Sequence, residues 1–302
     1  MPASAWAQER ERGSNWALRS LFWAFNTFGH TVARALLFPI VLYFVVTGRR
    51  SRRASRDYFA RLHRIHPAAP NPSFRQAYLH HLEFAQTLLE RVQLWQGKVE
   101  GFQFTGEGRE LLERPRGSGC VLLGAHFGSF DALRILAHGM NCRVNVVMYR
   151  AHATLINKFL EELNPDANLR VIELTPGDSE AVLKLRACIE NGEHVALLAD
   201  RIAPGSRQRI QKVQFLGDAA PFPENPWLLA IIFGCPVIFV AAARVGTRSY
   251  RVYVESVAEK VRRDPATLTA LIQTFAARLE SLCIAHPRQW FNFYDFWKLD
   301  GE

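Results

Sequence analysis

The pattern of apolar and polar positions divides the chain into two unlike parts. From Ser20 to Thr47 it reads SLFWAFNTFGHTVARALLFPIVLYFVVT, 28 mostly apolar residues broken only by His30 and Arg34. The uninterrupted part, Ala35 to Thr47, is 13 residues long and contains Pro39. A clean bilayer span takes about 20 residues, and a proline inside a helix kinks it. The stretch therefore reads as a helical membrane anchor, either one span or a tilted helix lying in the interface. A secretory signal does not fit, because the apolar region is long, begins late and lacks a small-residue cleavage site after it.

Beyond the breaker-rich His66-Pro67-Ala68-Ala69-Pro70-Asn71-Pro72 the pattern changes. Ser73 stands where an N-cap belongs. Phe74, Tyr78, Leu82, Phe84, Leu88, Leu89 and Val92 follow at helical spacing, which predicts a helix to about Trp95. Short apolar runs then alternate with amphipathic segments. Expected strands are Cys120–Ala125, Val144–Tyr149, Arg170–Leu174, His194–Ala199, Val213–Leu216, Pro236–Val245 and Tyr250–Val257. Expected helices lie near 129–139, 153–163, 178–191, 225–233 and 264–285. Such alternation predicts an α/β fold with a mixed sheet flanked by helices. The organisation expected is an N-terminal membrane-associated segment over 1–66 and an α/β domain over 73–302.

Charge sharpens this division. The chain of 302 residues carries a net charge of +9. Residues 1–80 contain 12 arginines and 3 acidic residues, and the remainder is balanced. Arg49, Arg50, Arg52, Arg53 and Arg56 follow directly on the apolar stretch. A nucleic-acid binder carries its basic face on the folded domain, so this placement argues against that class. It suits an anionic membrane surface, where each basic residue contributes about 1 kcal/mol, and it marks the cytoplasmic side. The five cysteines (Cys120, Cys142, Cys188, Cys235, Cys283) form no paired or zinc-like spacing and sit mainly in apolar runs, as buried reduced thiols do.

The chemistry concentrates after the first apolar strand of the domain, in Gly124-Ala125-His126-Phe127-Gly128-Ser129-Phe130-Asp131. In α/β folds ligands bind where strands end and helices begin. His126 follows such a strand, Gly128 permits a tight turn, and Ser129 is a plausible N-cap that places Asp131 in the first helical turn. Across that turn an imidazole and a carboxylate five residues apart can converge. The carboxylate fixes the tautomer, and the other ring nitrogen takes a proton from an attacking hydroxyl. Backbone amides near Gly128, or a cationic side chain, then stand ready for an oxyanion.

This stretch resembles the H-x4-D/E motif of glycerolipid acyltransferases, in particular the late acyltransferases of bacterial lipid A biosynthesis. Further blocks carry the resemblance from about residue 70 to the end: Tyr149-Arg150, Leu198-Ala199-Asp200-Arg201, Phe215-Leu216-Gly217, Ala220-Pro221-Phe222-Pro223, Gly234-Cys235-Pro236-Val237, and His286-Pro287-Arg288-Gln289-Trp290-Phe291. The resemblance implies transfer from an acyl carrier protein thioester to a hydroxyl of a lipid-linked acceptor, without an acyl-enzyme, cofactor or metal. It implies His126 as base and Asp131 as its partner. Arg150, Arg201 and Lys212 are expected to meet phosphates, and Gly128, Phe222 and Pro223 to line the substrate site. The implied location is the cytoplasmic face of the cell inner membrane.

Three departures stand out: Asp131 where lipid A enzymes often have Glu, Arg201 where they have Gln, and an aromatic ending, Trp290 to Trp297, in place of a basic tail. The ending looks more like the offshoot associated with aryl polyene pigments.

Other classes fit less well. A lysophospholipid acyltransferase would use the same pair, but the family's arginine-bearing glycerol-phosphate motif is not evident. A hydrolase lacks its G-x-S-x-G elbow, since Gly117-Ser118-Gly119 is too bare. A purely membrane-docking protein leaves the strand-end motif without a purpose. No P-loop or G-x-G-x-x-G follows a strand, which argues against nucleotide binding.

Overall fold

The computed structural model describes residues 15–95, 98–113, 118–132, 143–149, 170–174, 178–202, 209–261 and 264–298. Three helices come first: α1 (Asn15–Thr47), α2 (Arg49–Ile65) and α3 (Phe74–Trp95). Ala33, Leu37, Val41 and Val45, spaced four apart, form one buried stripe of α1 that packs on Leu82 and Leu89 of α3. The chain then turns by 93° between Thr31–Thr47 and α2. Gly48 stands at the corner, where a Cβ would lie 2.6 Å from the carbonyl oxygen of Phe44. The Arg52 guanidinium reaches back to the carbonyls of Val45 and Val46, satisfying acceptors that the end of α1 leaves open. α2 buries Ala54, Ser55, Tyr58, Phe59 and Leu62 on one side and exposes Arg49, Arg50, Arg53 and Arg56 on the other. Ser73 caps α3 as expected, its hydroxyl accepting from the amide of Gln76 at 3.1 Å.

The strands are β1 (Gln103–Glu107), β2 (Val121–Gly124), β3 (Val144–Tyr149), β4 (Arg170–Leu174), β5 (His194–Leu198), β6 (Ile210–Phe215), β7 (Asp218–Pro223), β8 (Val237–Gly246) and β9 (Ser249–Ala258). Helices α4 (Ser179–Glu190), α5 (Asn225–Phe233) and α6 (Pro265–Ala285), with a single 3-10 turn at Arg109–Leu112, complete the described elements. Seven strands form one mixed sheet in the order β1-β9-β8-β2-β5-β3-β4. Only the β8–β9 pair is antiparallel. β2 is thus central, flanked in parallel by β8 and β5, and its four residues are all buried. A strand buried on both faces reads as the continuous apolar run the sequence shows there.

All seven expected strands match within a few residues, as do the helices near 178–191, 225–233 and 264–285. The expected helix near 153–163, and 129–139 beyond Ala132, lie outside the described residues. Two strands were not anticipated, β1 and β7. Both have a physical reason: β1 is an edge strand with mostly exposed residues, and β7 contains Pro221 and Pro223. β7 pairs only with β6, in a hairpin closed by Leu216 (φ 53°) and Gly217 (φ 80°). Two consecutive left-handed residues are what a tight two-residue hairpin requires. Phe215 and Phe222 on its inner side join the core.

α6 is long and apolar enough to cross a membrane by length and composition. Its Ile272, Phe275, Ala276, Leu279 and Cys283 are, however, fully buried in the main core, which makes it a core helix. Cys120, Cys188, Cys235 and Cys283 are buried, as read from the sequence.

One buried ionic network fixes α3 over the sheet. The Arg244 guanidinium of β8 is 3.0 Å from both Glu90 and Glu83, and the Tyr250 hydroxyl donates to Glu90 at 2.6 Å. Arg244 and Glu90 are nearly inaccessible, so removing either partner would strand a buried charge at a cost of about 3–5 kcal/mol.

Candidate active site

β2 and β5 run parallel with Val121 opposite Val195 and Gly124 opposite Leu198. Continuing that register two residues past each strand brings His126 opposite Asp200. The side chains meet there: His126 Nδ1 lies 2.8 Å from Asp200 Oδ1. The backbone amide of His126 donates to the other oxygen, Oδ2, at 3.0 Å, and the indole N–H of Trp290 donates to Oδ2 at 3.0 Å. Because a carboxylate only accepts, Nδ1 carries the ring proton and Nε2 is left as the basic nitrogen. Among the described residues Nε2 has no hydrogen-bond partner, and the His126 side chain is 32% exposed while that of Asp200 is sealed.

Electrostatics suit a base. Burial lowers the His126 pKa below the ordinary histidine value, the nearby Arg201 adds to this, and Asp200 acts in the opposite direction. Burial alone would raise the Asp200 pKa, but the His126 interaction, its hydrogen bonds and Arg201 outweigh it and hold the carboxyl at about 2. Near neutral pH the pair is therefore neutral imidazole beside carboxylate.

The carboxylate on the His126 ring is thus not the one the sequence motif suggests. Asp131 instead forms an ion pair with Arg91 of α3. Ser129 does start a helical turn, its hydroxyl accepting from the amide of Ala132 at 3.2 Å. That turn carries Asp131 toward α3, whereas Asp200 leaves the neighbouring strand level with His126.

The glycine turn also differs from expectation in its hydrogen bonding. The amide of Phe127 donates to Ala125, that of Gly128 to the carbonyl of Gln289 at 2.9 Å, and that of Ser129 to Ala242 at 2.9 Å. These donors are already used, so they cannot form an oxyanion hole. Gly128 is needed for space: its φ is +55°, and a Cβ would lie 1.9 Å from the Ala242 carbonyl oxygen.

The remaining predicted residues are dispersed. Arg201 adjoins the pair, with its guanidinium donating to the carbonyl of Phe291 and lying 5.4 Å from the Tyr294 ring centre. Lys212 is exposed on β6. Phe222 is fully buried against Phe215, Phe275 and Phe296, and Pro223 is buried at the end of β7. These two build the core rather than an open wall. Arg150 lies outside the described residues.

Sequence reading missed three participants: Asp200 as the imidazole's partner, Arg91, and Trp290. Asp200 and Trp290 lie in blocks that the resemblance picked out, and only the strand register joins them to His126. For Arg91 no sequence signal existed.

The segment after α6 closes one side of the site. Phe127 and Trp290 form an antiparallel bridge, and the amide of Phe291 donates to the carbonyl of His126 at 2.8 Å. The Gln289 side chain accepts from the Arg244 amide at 2.7 Å and donates to its carbonyl, tying this segment to β8. Among the described residues no group of three or more metal-binding side chains occurs.

The sequence matches the protein family described as "Bacterial lipid A biosynthesis acyltransferase" over residues 13–299. No curated protein matches the chain. Among solved structures, the 1-acyl-sn-glycerophosphate (LPA) acyltransferase PlsC from Thermotoga maritima is similar. It is 16% identical, with 82% of this chain and 96% of that one covered and a TM-score of 0.39.

Proposed function

The chain belongs to the bacterial lipid A biosynthesis acyltransferases, and from that premise we propose that it transfers a fatty acyl group from an acyl carrier protein thioester to a hydroxyl of a lipid-linked acceptor, a lipid A precursor or related glycolipid. The observation that carries the mechanism is the partly exposed imidazole of His126, its Nδ1 held by buried Asp200 and its Nε2 open.

In the proposed step the acceptor hydroxyl lies against Nε2. Its oxygen attacks the thioester carbonyl as Nε2 takes the proton, giving a tetrahedral oxyanion beside an imidazolium that Asp200 stabilises. The intermediate collapses, the C–S bond breaks, and the leaving sulfur takes the proton back from Nε2. Ester and free thiol result, and His126 returns to its neutral form. With the turn amides occupied, a guanidinium is the candidate for the oxyanion: Arg201 and Arg91 both act electrostatically on His126. Among the described residues no serine, threonine or cysteine hydrogen-bonds His126, which supports direct transfer over an acyl-enzyme. Arg201, with Arg150 and Lys212, is proposed to meet phosphates of the acceptor or of the donor's phosphopantetheine, because guanidinium matches phosphate bidentately.

The acceptor would reach this site from a membrane. α1 exposes Val32, Leu36, Phe38, Leu42, Tyr43 and Val46, a run of apolar side chains opposite the stripe that packs on α3, and the arginines of α2 begin where it ends. Such a surface suits docking on the anionic cytoplasmic face of the inner membrane. The test is to incubate purified protein with acyl carrier protein thioesters and vesicles holding a hydroxylated glycolipid, and to follow the lipids by mass spectrometry. A product heavier by one acyl group supports the proposal. Thioester hydrolysis without transfer contradicts it.

A further inference from the structure

Four fully buried polar side chains line up behind His126 in a way that the acyl-transfer steps do not use. Trp290 donates its indole N–H to Asp200 Oδ2 at 3.0 Å. Its backbone carbonyl is 2.8 Å from His80 Nε2 of α3, and His80 Nδ1 is 2.9 Å from the Ser55 hydroxyl of α2. Ser55, His80, Asp200 and Trp290 all have 0% exposure. The protonation pattern follows from the acceptors. A carbonyl cannot donate, so His80 carries its proton on Nε2, and Nδ1 accepts from the Ser55 O–H. Burial is the main cause that lowers the His80 pKa, to about 3, so this neutral tautomer persists across the working pH range.

The indole has little freedom to leave. Phe215 and Phe296 lie edge-on with centroids 5.0 Å away, and Tyr58 is at 5.4 Å. Asp200 therefore receives three donors: the ring and the amide of His126, and the indole. Two of them converge on Oδ2, which leaves Oδ1 aimed at the imidazole. The His126 contacts take one oxygen each, and both come from one residue; the indole is a third donor from a separate segment that keeps the carboxylate plane from swinging away from the ring.

We propose that Trp290 is a positioning residue for the reaction: its indole N–H, held in place through its carbonyl by the buried His80–Ser55 pair, locks the Asp200 carboxylate in the orientation that fixes the His126 tautomer. This rests on the reading of His126 as the base. It also gives α2, the helix bearing the exposed arginines, a hydrogen-bonded path to the imidazole, through His80, Trp290 and Asp200.

The test replaces Trp290 with 3-benzothienylalanine, which substitutes sulfur for N–H at nearly the same size, alongside Trp290→Phe, Asp200→Asn and the combined Trp290→Phe/Asp200→Asn protein. Hydrogen bonds to a charged group suggest a fall in kcat of about tenfold or more for either change at Trp290, with KM held. Without the indole donor the carboxylate keeps more negative charge for the imidazolium, so the acid limb of the kcat/KM profile moves to higher pH. On the Asp200→Asn background the Trp290 change costs nothing further. A profile that stays in place, or losses that simply multiply, overturns the proposal and leaves Trp290 a packing residue. The two readings separate through His126→Ala in the same assay. If that variant is inactive while the Trp290 variants behave as wild type, only the positioning role falls. If it is fully active, both fall.

Discussion

His126 Nδ1 and Asp200 Oδ1 are 2.8 Å apart although 74 positions separate them in the chain. The contact continues a parallel strand register past the ends of β2 and β5, so the sheet itself sets it. Asp200→Asn keeps the shape of the side chain but presents an amide that no longer dictates which ring nitrogen holds the proton. In hydrolases with a comparable carboxylate–imidazole pair this exchange costs about 10⁴-fold in kcat. A loss of about 10²-fold or more is expected here, with KM little changed, as read by steady-state acyl transfer. Because Asp200 also raises the His126 pKa, the remaining activity should have its acid limb at lower pH than wild type.

Gly128 and Gly234 have similar positive φ values, +55° and +62°, but only Gly128 faces a wall. An alanine at 234 meets nothing within 4 Å and suffers only the left-handed backbone penalty, about 1–2 kcal/mol. An alanine at 128 collides with the backbone of β8. Urea unfolding should place Gly234→Ala near that value. Gly128→Ala should lose at least about 3 kcal/mol or fail to accumulate folded.

Acid should destabilise the fold through its buried imidazoles. The His80 pKa is lowered to about 3 in the folded protein against about 6.5 in an unfolded chain. Between these values the unfolded state binds the extra proton, so stability from neutral His80 is complete above about pH 6.5 and is lost progressively as pH falls toward 3. His81, His126 and His286 are shifted in the same direction. Thermal melts should show Tm falling from pH 7 to pH 4, and His80→Gln should flatten the slope.

The docking surface predicts two separable effects. Replacing Leu36, Tyr43 and Val46 with serine removes exposed apolar area, Tyr43 alone being 65% exposed. It should weaken sedimentation with neutral and anionic vesicles alike. Replacing Arg49, Arg50, Arg53 and Arg56 with glutamine should weaken anionic vesicles only, by about 1 kcal/mol per arginine at low salt. Turnover on detergent-dispersed acceptor should not change. Unaltered vesicle binding in both variants would assign docking to another surface.

The strands and helices that position the site were largely legible because buried parallel strands and amphipathic helices leave strong periodic signals. His126 was legible too, as a polar residue directly after such a strand. Its partner was not. Asp131 is the nearer carboxylate in sequence, and only knowing that β2 lies beside β5 selects Asp200. The Gly128 amide is likewise free in the sequence and used in the fold, because the Gln289–Trp290 segment returns from the C-terminal end to pair with the turn. The resemblance placed Phe222 at the substrate site, yet the register of the β6–β7 hairpin turns it inward beside Phe215.

The central claim is that the open Nε2 of His126 takes the proton from the acceptor hydroxyl. The most direct measurement is single-turnover transfer from an acyl carrier protein thioester by wild type and His126→Ala, with folding and vesicle binding checked for both. A loss of about 100-fold or more in the transfer rate, with structure and membrane association intact, is the result predicted. Transfer at the wild-type rate from the alanine variant would contradict it.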